Sequence, residues 1–182
     1  MTTILGTVPE VKDVDPSPGL DVLARWVHEG DEPGVAPAGL EPVRALLNTD
    51  DRFHGVDRLA GAPGELVAVR DALRAHLEGA DPGPLSALAS RYPLVVEVRP
   101  DGARLVPAKG ADPVASAVAA VLALVHQASV DGYWGRLKHC ANPGCRWVFY
   151  DTSRNRSGRW CAMGECGDVM KARAYRERRR TG

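Results

Sequence analysis

Aromatic residues are scarce, at 5% of 182 residues, so the core must be aliphatic. Net charge is absent: 23 Lys+Arg balance 23 Asp+Glu, which taken whole argues against a nucleic-acid binder. No stretch of about 18 apolar residues is evident, so no membrane span is expected. The N-terminus lacks the basic n-region and apolar h-region of a secretory signal. Catalytic signatures are missing too. The chain has no His-Glu-x-x-His, Gly-x-Ser-x-Gly or Gly-x-x-x-x-Gly-Lys-Ser/Thr run. Pro143-Gly144-Cys145 has no His-x-Glu partner of the kind a zinc deaminase needs. His28, His54, His76 and His126 are scattered. The expectation is a cytoplasmic binding protein, not an enzyme. With 45% apolar residues, the length suits one domain of ordinary size or one plus a small appendage.

What is present is unevenly distributed. Residues 136–182 hold 12 Lys/Arg and 4 Asp/Glu, while residues 1–135 hold 11 and 19, so the two segments carry +8 and −8. Such a split marks a basic module joined to an acidic body. All four cysteines fall in the last 43 residues: Cys140, Cys145, Cys161 and Cys166, spaced C-x4-C-x15-C-x4-C. In a reducing compartment, paired and clustered cysteines point to metal rather than to disulfides.

The body reads as mostly helical. Residues 1–19, with Pro9, Pro16 and Pro18, are expected to be extended or irregular. Leu20 to Glu29 has Leu20, Leu23, Trp26 and Val27 on one face. Residues 30–42 read as a loop, Pro42–Leu47 as a short helix, and Asn48-Thr49-Asp50-Asp51 as a turn or cap. Leu66, Val69, Leu73 and Leu77 mark a helix over Pro63–Glu78, stopped by Gly79. A short helix over 84–91 follows. Leu94–Val98 and Ala103–Val106, joined through Pro100-Asp101-Gly102, form a β-hairpin. Asp112 caps the longest helix, to Val130, with Pro113 first and Val114, Val118, Val121, Leu122 and Val125 on its apolar face. The fold class is α+β: a mostly helical domain over 1–133, then a small four-cysteine module over 134–182 ending in a basic helix.

Four thiolates make a soft tetrahedral donor set suited to one structural Zn2+. Four protein ligands close the site, leaving no position for catalytic water. Ala141-Asn142-Pro143-Gly144 and Ala162-Met163-Gly164-Glu165 turn the chain between ligands. Trp147-Val148-Phe149-Tyr150 reads as a strand, with Trp147, Phe149 and Trp160 packing around the metal. His139 is expected at the surface and not as a fifth ligand. Arg154, Arg156 and Arg159 lie in the polar loop between ligand pairs, where they can meet phosphates. After Cys166, Asp168 is placed to cap a helix carrying Lys171, Arg173, Arg176, Arg178, Arg179 and Arg180. Arg173, Arg176 and Arg180 share one face; Lys171 and Arg178 share another, near Tyr175.

Cys140-Ala-Asn-Pro-Gly-Cys145, Trp147-Val-Phe-Tyr-Asp151-Thr-Ser-Arg-Asn-Arg-Ser and Arg159-Trp-Cys161 resemble the CGNR-type zinc finger. That module closes bacterial proteins whose N-terminal part is the ABATE domain. The namesake Cys-Gly-Asn-Arg is here Cys166-Gly167-Asp168-Val169. Asp can replace Asn as a helix cap, but Val cannot replace Arg against a phosphate or base. The body resembles the family more loosely, through Leu20-Asp-Val-Leu-Ala-Arg-Trp26. Ile4-Leu5-Gly6-Thr7 and Leu46-Leu47-Asn48-Thr49 are weak matches to its Leu-Asp-Phe-x-Asn-Thr opening. The resemblance implies a stress-related transcription regulator that binds nucleic acid, DNA more than RNA. The body would then sense a signal or form a homodimer. The alternative is a protein-interaction or self-association module, or an RNA binder.

Overall fold

The structure, a computed structural model, describes residues 20–24, 34–37 and 39–181. The expected irregular segment 1–19 and Ile4-Leu5-Gly6-Thr7 lie outside the described residues. So do Trp26 and Val27 of the expected first helix, of which a 3-10 turn at Leu20–Val22 is described. Helix α1 spans Glu41–Leu47, followed by the two-residue strands β1 (Asp50–Asp51) and β2 (Val56–Asp57). Helices α2 (Gly64–Leu77) and α3 (Gly83–Arg91) lead into strands β3 (Leu94–Arg99) and β4 (Gly102–Pro107). Helix α4 (Pro113–Val130) and a 3-10 turn at Trp134–Arg136 precede strands β5 (Leu137–His139) and β6 (Val148–Tyr150). A π-helical turn at Met163–Gly167 runs into helix α5 (Asp168–Thr181). Each strand pair is a separate antiparallel two-stranded sheet. The fold class is α+β, as the sequence indicates.

The apolar periods place the core. In α2, Leu66, Val69 and Leu73 are fully buried and Leu77 is partly so. Each full burial stabilises the fold by roughly 1.5–3 kcal/mol. Pro63 is extended and just precedes α2, since its fixed φ suits entry to the helix but not a hydrogen-bonded cap. Asp112 caps α4 as expected, Oδ1 accepting from the N–H of Val114 at 2.9 Å and of Ala115 at 3.0 Å. Helix α4 is buried on every face from Ala117 to Val125. Its 18 residues are long and apolar enough, by length and composition alone, to cross a membrane, which corrects the expectation that no such stretch exists. Small alanines among the valines and leucines give it that character. More than half of it is buried as the central helix of this core.

Charged groups inside the body are paired. Glu41 and Arg44 form a fully buried pair on α1, and the Glu41 carboxylate also accepts the Ala36 N–H at 2.9 Å. From α2, Arg70 grips both oxygens of Asp57, which fixes the β1–β2 hairpin. The core does not stop at residue 133. Leu137, Val148 and Tyr150 of the β5–β6 hairpin belong to the same apolar cluster as α1, α2 and α4. The cysteine module is thus seated on the body through an apolar contact.

Candidate metal centre and basic surface

The β5–β6 hairpin positions the first ligand pair. Its register pairs Leu137 with Tyr150, Lys138 with Phe149 and His139 with Val148. Beyond it the Cys140 N–H donates to the Trp147 carbonyl at 2.8 Å, closing the turn that holds Cys140 and Cys145. Asn142 organises that turn. Its carbonyl accepts the N–H of Cys145 (2.9 Å) and of Arg146 (3.1 Å), and its Oδ1 accepts the Gly144 N–H at 3.1 Å. Its Nδ2 donates to the Cys166 Sγ at 3.4 Å, linking the first turn to the last ligand. Arg146 takes a left-handed conformation, φ 56°, where the chain leaves the turn for β6.

The second pair is held differently. The Ala141 N–H donates to the Arg159 carbonyl at 2.8 Å, drawing the chain before Cys161 against the first turn. After Cys161 the π-helical turn carries Cys166 inward. A Cβ on Gly167 would lie 2.5 Å from the Met163 sulfur and 3.1 Å from Trp160 Cδ1, so glycine lets both side chains lie close over the turn. Asp168 already has helical dihedrals, φ −70° and ψ −40°. It is therefore the first residue of α5 and not its cap, because the π turn delivers the chain in helical conformation. Trp147 and Trp160 pack on the sulfurs as expected. Phe149 does not. It is buried beneath Gly34, where a Cβ would come within 3.1 Å of the Phe149 Cβ, because the chain at Gly34, whose carbonyl accepts the Tyr150 N–H at 2.8 Å, packs over this part of β6.

The four sulfurs lie within 4.8 Å of one another. Cys145 and Cys161 are 3.7 Å apart, and Cys161 and Cys166 are 3.8 Å apart. A disulfide needs about 2.05 Å. A tetrahedron of sulfurs at the Zn–S distance of about 2.3 Å has an edge of about 3.8 Å. Hydrogen bonding from Cys161 and its neighbours pulls the Cys145 thiol down to about 5. That same contact pushes Cys161 up, and burial pushes Cys166 up. Four crowded thiols thus resist joint ionisation until a dication compensates them.

Residues 136–179 match the CGNR zinc finger. A comparison with curated proteins gives no match. The family match and the sulfur geometry together assign one structural Zn2+ to Cys140, Cys145, Cys161 and Cys166. The closed S4 set gives the metal a folding role.

Within this zinc finger the loop between ligand pairs is built around one carboxylate. Asp151 is buried, and its oxygens accept the Ser153 N–H (2.9 Å), the Gly158 N–H (2.8 Å) and the Lys138 ammonium (2.6 Å). Lys138 also donates to the Arg156 carbonyl, and Arg136 to the carbonyls of Asp151 and Ser153. Gly158 is obligatory, since a Cβ there would lie 2.7 Å from the Asp151 carboxylate. Burial works against the charged form of Asp151, but Lys138, Ser153 and Gly158 outweigh it and hold its pKa well below the usual carboxylate range. A depressed pKa contributes stability above the unfolded value of 3.8, lost as the pH falls below that value. Asp151→Asn should cost about 3 kcal/mol, the scale of lost charged hydrogen bonds, equally from about pH 5 to about pH 8. Urea unfolding of zinc-loaded protein measures it, and a cost under half a kcal/mol would refute the loop's dependence on this carboxylate.

Arg154, Arg156 and Arg159 are all exposed on that loop. Arg156 sits at φ 50°, and the Arg159 guanidinium lies 5.1 Å from the Trp160 ring centroid. Lys171, Arg173, Arg176, Arg178, Arg179 and Arg180 are exposed on α5, where Arg179 reaches over Tyr175 at 5.9 Å. Arg136, Lys138 and Arg146 also belong to the basic module, but each is spent on internal contacts.

The seam between body and zinc finger holds residues that the sequence did not reveal. The Asn48 Oδ1 accepts the Val148 N–H and its Nδ2 donates to the Val148 carbonyl, both at 2.8 Å. Arg74 reaches from α2 to the Leu47 carbonyl (2.6 Å) and the Arg146 carbonyl (3.0 Å). His139 is not at the surface. Its ring lies between the carbonyls of Arg146 (3.2 Å) and Arg74 (3.3 Å), with a side chain 5% exposed, because β5 packs on α2. Burial lowers its pKa. Across the rim, Arg146 pairs with Glu78. Leu46-Leu47-Asn48-Thr49 was the only signal for any of this, and it could not show which strand Asn48 would meet.

Proposed function

We propose that this protein is a cytoplasmic nucleic-acid-binding transcription regulator, without enzymatic activity, that engages duplex DNA in preference to RNA. The observation that carries the reading is α5. Every residue from Lys171 to Arg180 is exposed, and six of those ten are cations. A 14-residue helix with so little buried surface is marginal alone, so its ordering is bought by the zinc-bound turn before it. Held this way, it presents fixed positive charge to a partner. At about 1.5 Å per residue it is about 21 Å long, which suits the major groove of B-DNA, about 12 Å wide. The deep, narrow major groove of an RNA duplex does not admit such a helix. The exposed Arg154, Arg156 and Arg159 add phosphate contacts beside the metal. Val169, 57% exposed where the family motif has arginine, lacks a charge, so affinity rests on the six cations that follow.

A salt titration tests this. Zinc-loaded protein should bind random duplex DNA with a log–log slope of about −0.9 per phosphate contact. Arg173→Gln, Arg176→Gln and Arg180→Gln together should flatten it by about 2.7. Tighter binding to single-stranded RNA would move the assignment to RNA. Absence of binding to either at low salt would make α5 a docking element for an acidic protein.

A further inference from the structure

Val169 contributes little to folding. It is 57% exposed in the first turn of α5, so it buries little against the finger. Valine is also a poorer helix former than the lysine, arginine and alanine residues that follow it. Neither packing nor propensity accounts for it.

Its place on the helix is informative. At about 100° per residue, Arg173, Arg176 and Arg180 all fall within about 40° of Val169 around the axis. The exposed Ala172, three residues on, lies beside it. Lys171 and Arg178 are on the opposite face. The two carboxylates of the helix, Asp168 and Glu177, sit about 100° and about 80° from Val169, at the margins of its face. The face that carries three arginines therefore begins with a small apolar step.

That step is held by the metal site. Cys166 is three residues before Val169. The Gly167 N–H donates to the Ala162 carbonyl at 3.1 Å, and the Asp168 N–H donates back into the π turn, to the carbonyls of Met163 and Glu165. A β-branched side chain in a helix has one strongly preferred rotamer. The Val169 methyls are thus presented at a fixed point, unlike the long side chains beyond them.

We infer that Val169 selects thymine in the DNA that α5 engages, by meeting the thymine C5-methyl in the major groove. The inference rests on the duplex-DNA reading above. Recognition helices touch base edges with the residues of their first turns. Thymine shows a methyl on its major-groove edge, and apolar side chains read it. Arginine at this point of the helix would instead hydrogen-bond guanine O6 and N7. Valine has no donor and leaves those acceptors unpaired. With Val169 against the bases, Arg173, Arg176 and Arg180 lie about 6 to 17 Å further along the axis and reach phosphates as the helix leaves the groove. Uracil lacks the methyl, so the same contact favours DNA over RNA.

Selection from a randomised duplex pool with the full zinc-loaded chain tests it. The wild type should enrich thymine at one position. Val169→Arg should change that position to guanine and leave the rest of the site as it was. Replacing the selected thymine by uracil removes only the methyl. It should weaken the wild type about fourfold, the effect of one buried methyl, and leave Val169→Ser unchanged. Zinc content and helicity should match the wild type in both variants. No enrichment, equal affinity for thymine and uracil, or a preference that Val169→Arg leaves in place overturns the inference, while salt-dependent duplex binding keeps the DNA reading. Absence of duplex binding at low salt overturns both.

Discussion

Stripping zinc should unfold the C-terminal module and take much of the body's stability with it. The module has almost no apolar core beyond Trp147 and Trp160 packed on the sulfurs. Structural zinc contributes on the order of 10 kcal/mol to folding sites of this kind. The loss should spread because Leu137, Val148 and Tyr150 are buried in the main core, at 3%, 0% and 8% exposure. Cys140→Ser should act as chelation does, since Cys140 is fully buried and heads the first turn. The expected result is one zinc per chain by elemental analysis. Chelation should then cause loss of α5 helicity and a lower urea midpoint for the body. Because bound thiols must lose their protons, chelator should remove the metal more readily as the pH falls. A body transition indifferent to zinc would show that the seam carries no cooperativity.

Asn48→Ala is expected to be the most damaging single change outside the cysteines. It removes two 2.8 Å hydrogen bonds and leaves the N–H and carbonyl of the fully buried Val148 without partners. An unsatisfied buried group costs about 1–3 kcal/mol, so the loss should be about 2–5 kcal/mol. Asn48→Asp should be no better. It keeps an acceptor for the Val148 N–H but sets a carboxylate against the Val148 carbonyl. Urea unfolding measures the loss, and zinc content should stay at one per chain because no ligand is touched. A cost below about 1 kcal/mol would mean that the apolar contact alone seats the finger.

Asn48 shows where reading the chain reaches its limit. Local signals in the sequence are strong: the stripe of Leu66, Val69 and Leu73, the cap at Asp112, the turn at Pro100-Asp101. Each element they mark is present in the structure. These signals are local because helix periodicity and turn chemistry depend on neighbours within a few residues. Other outcomes depend on distant partners, or on backbone geometry that residue type does not show. Phe149 reads as a metal-packing aromatic, but the distant chain at Gly34 covers it instead. His139 looked exposed beside a ligand, but α2 covers it. Asp168 had the composition of a cap, but the π turn before it had already set a helical backbone.

By itself the sequence determined the α+β class, the four zinc ligands, the charge split and the basic helix at 168–180. Each follows from residue type and short spacing, and thiolate chemistry leaves little choice of metal. Only the tertiary structure decided which cations stay exposed. Arg136, Lys138 and Arg146 are as basic as those of α5, yet the fold draws them onto Asp151, backbone carbonyls and Glu78. It also decided that the finger is seated on the body through Asn48 and Arg74. Partners 100 and 72 residues apart are set by packing, which no local pattern encodes.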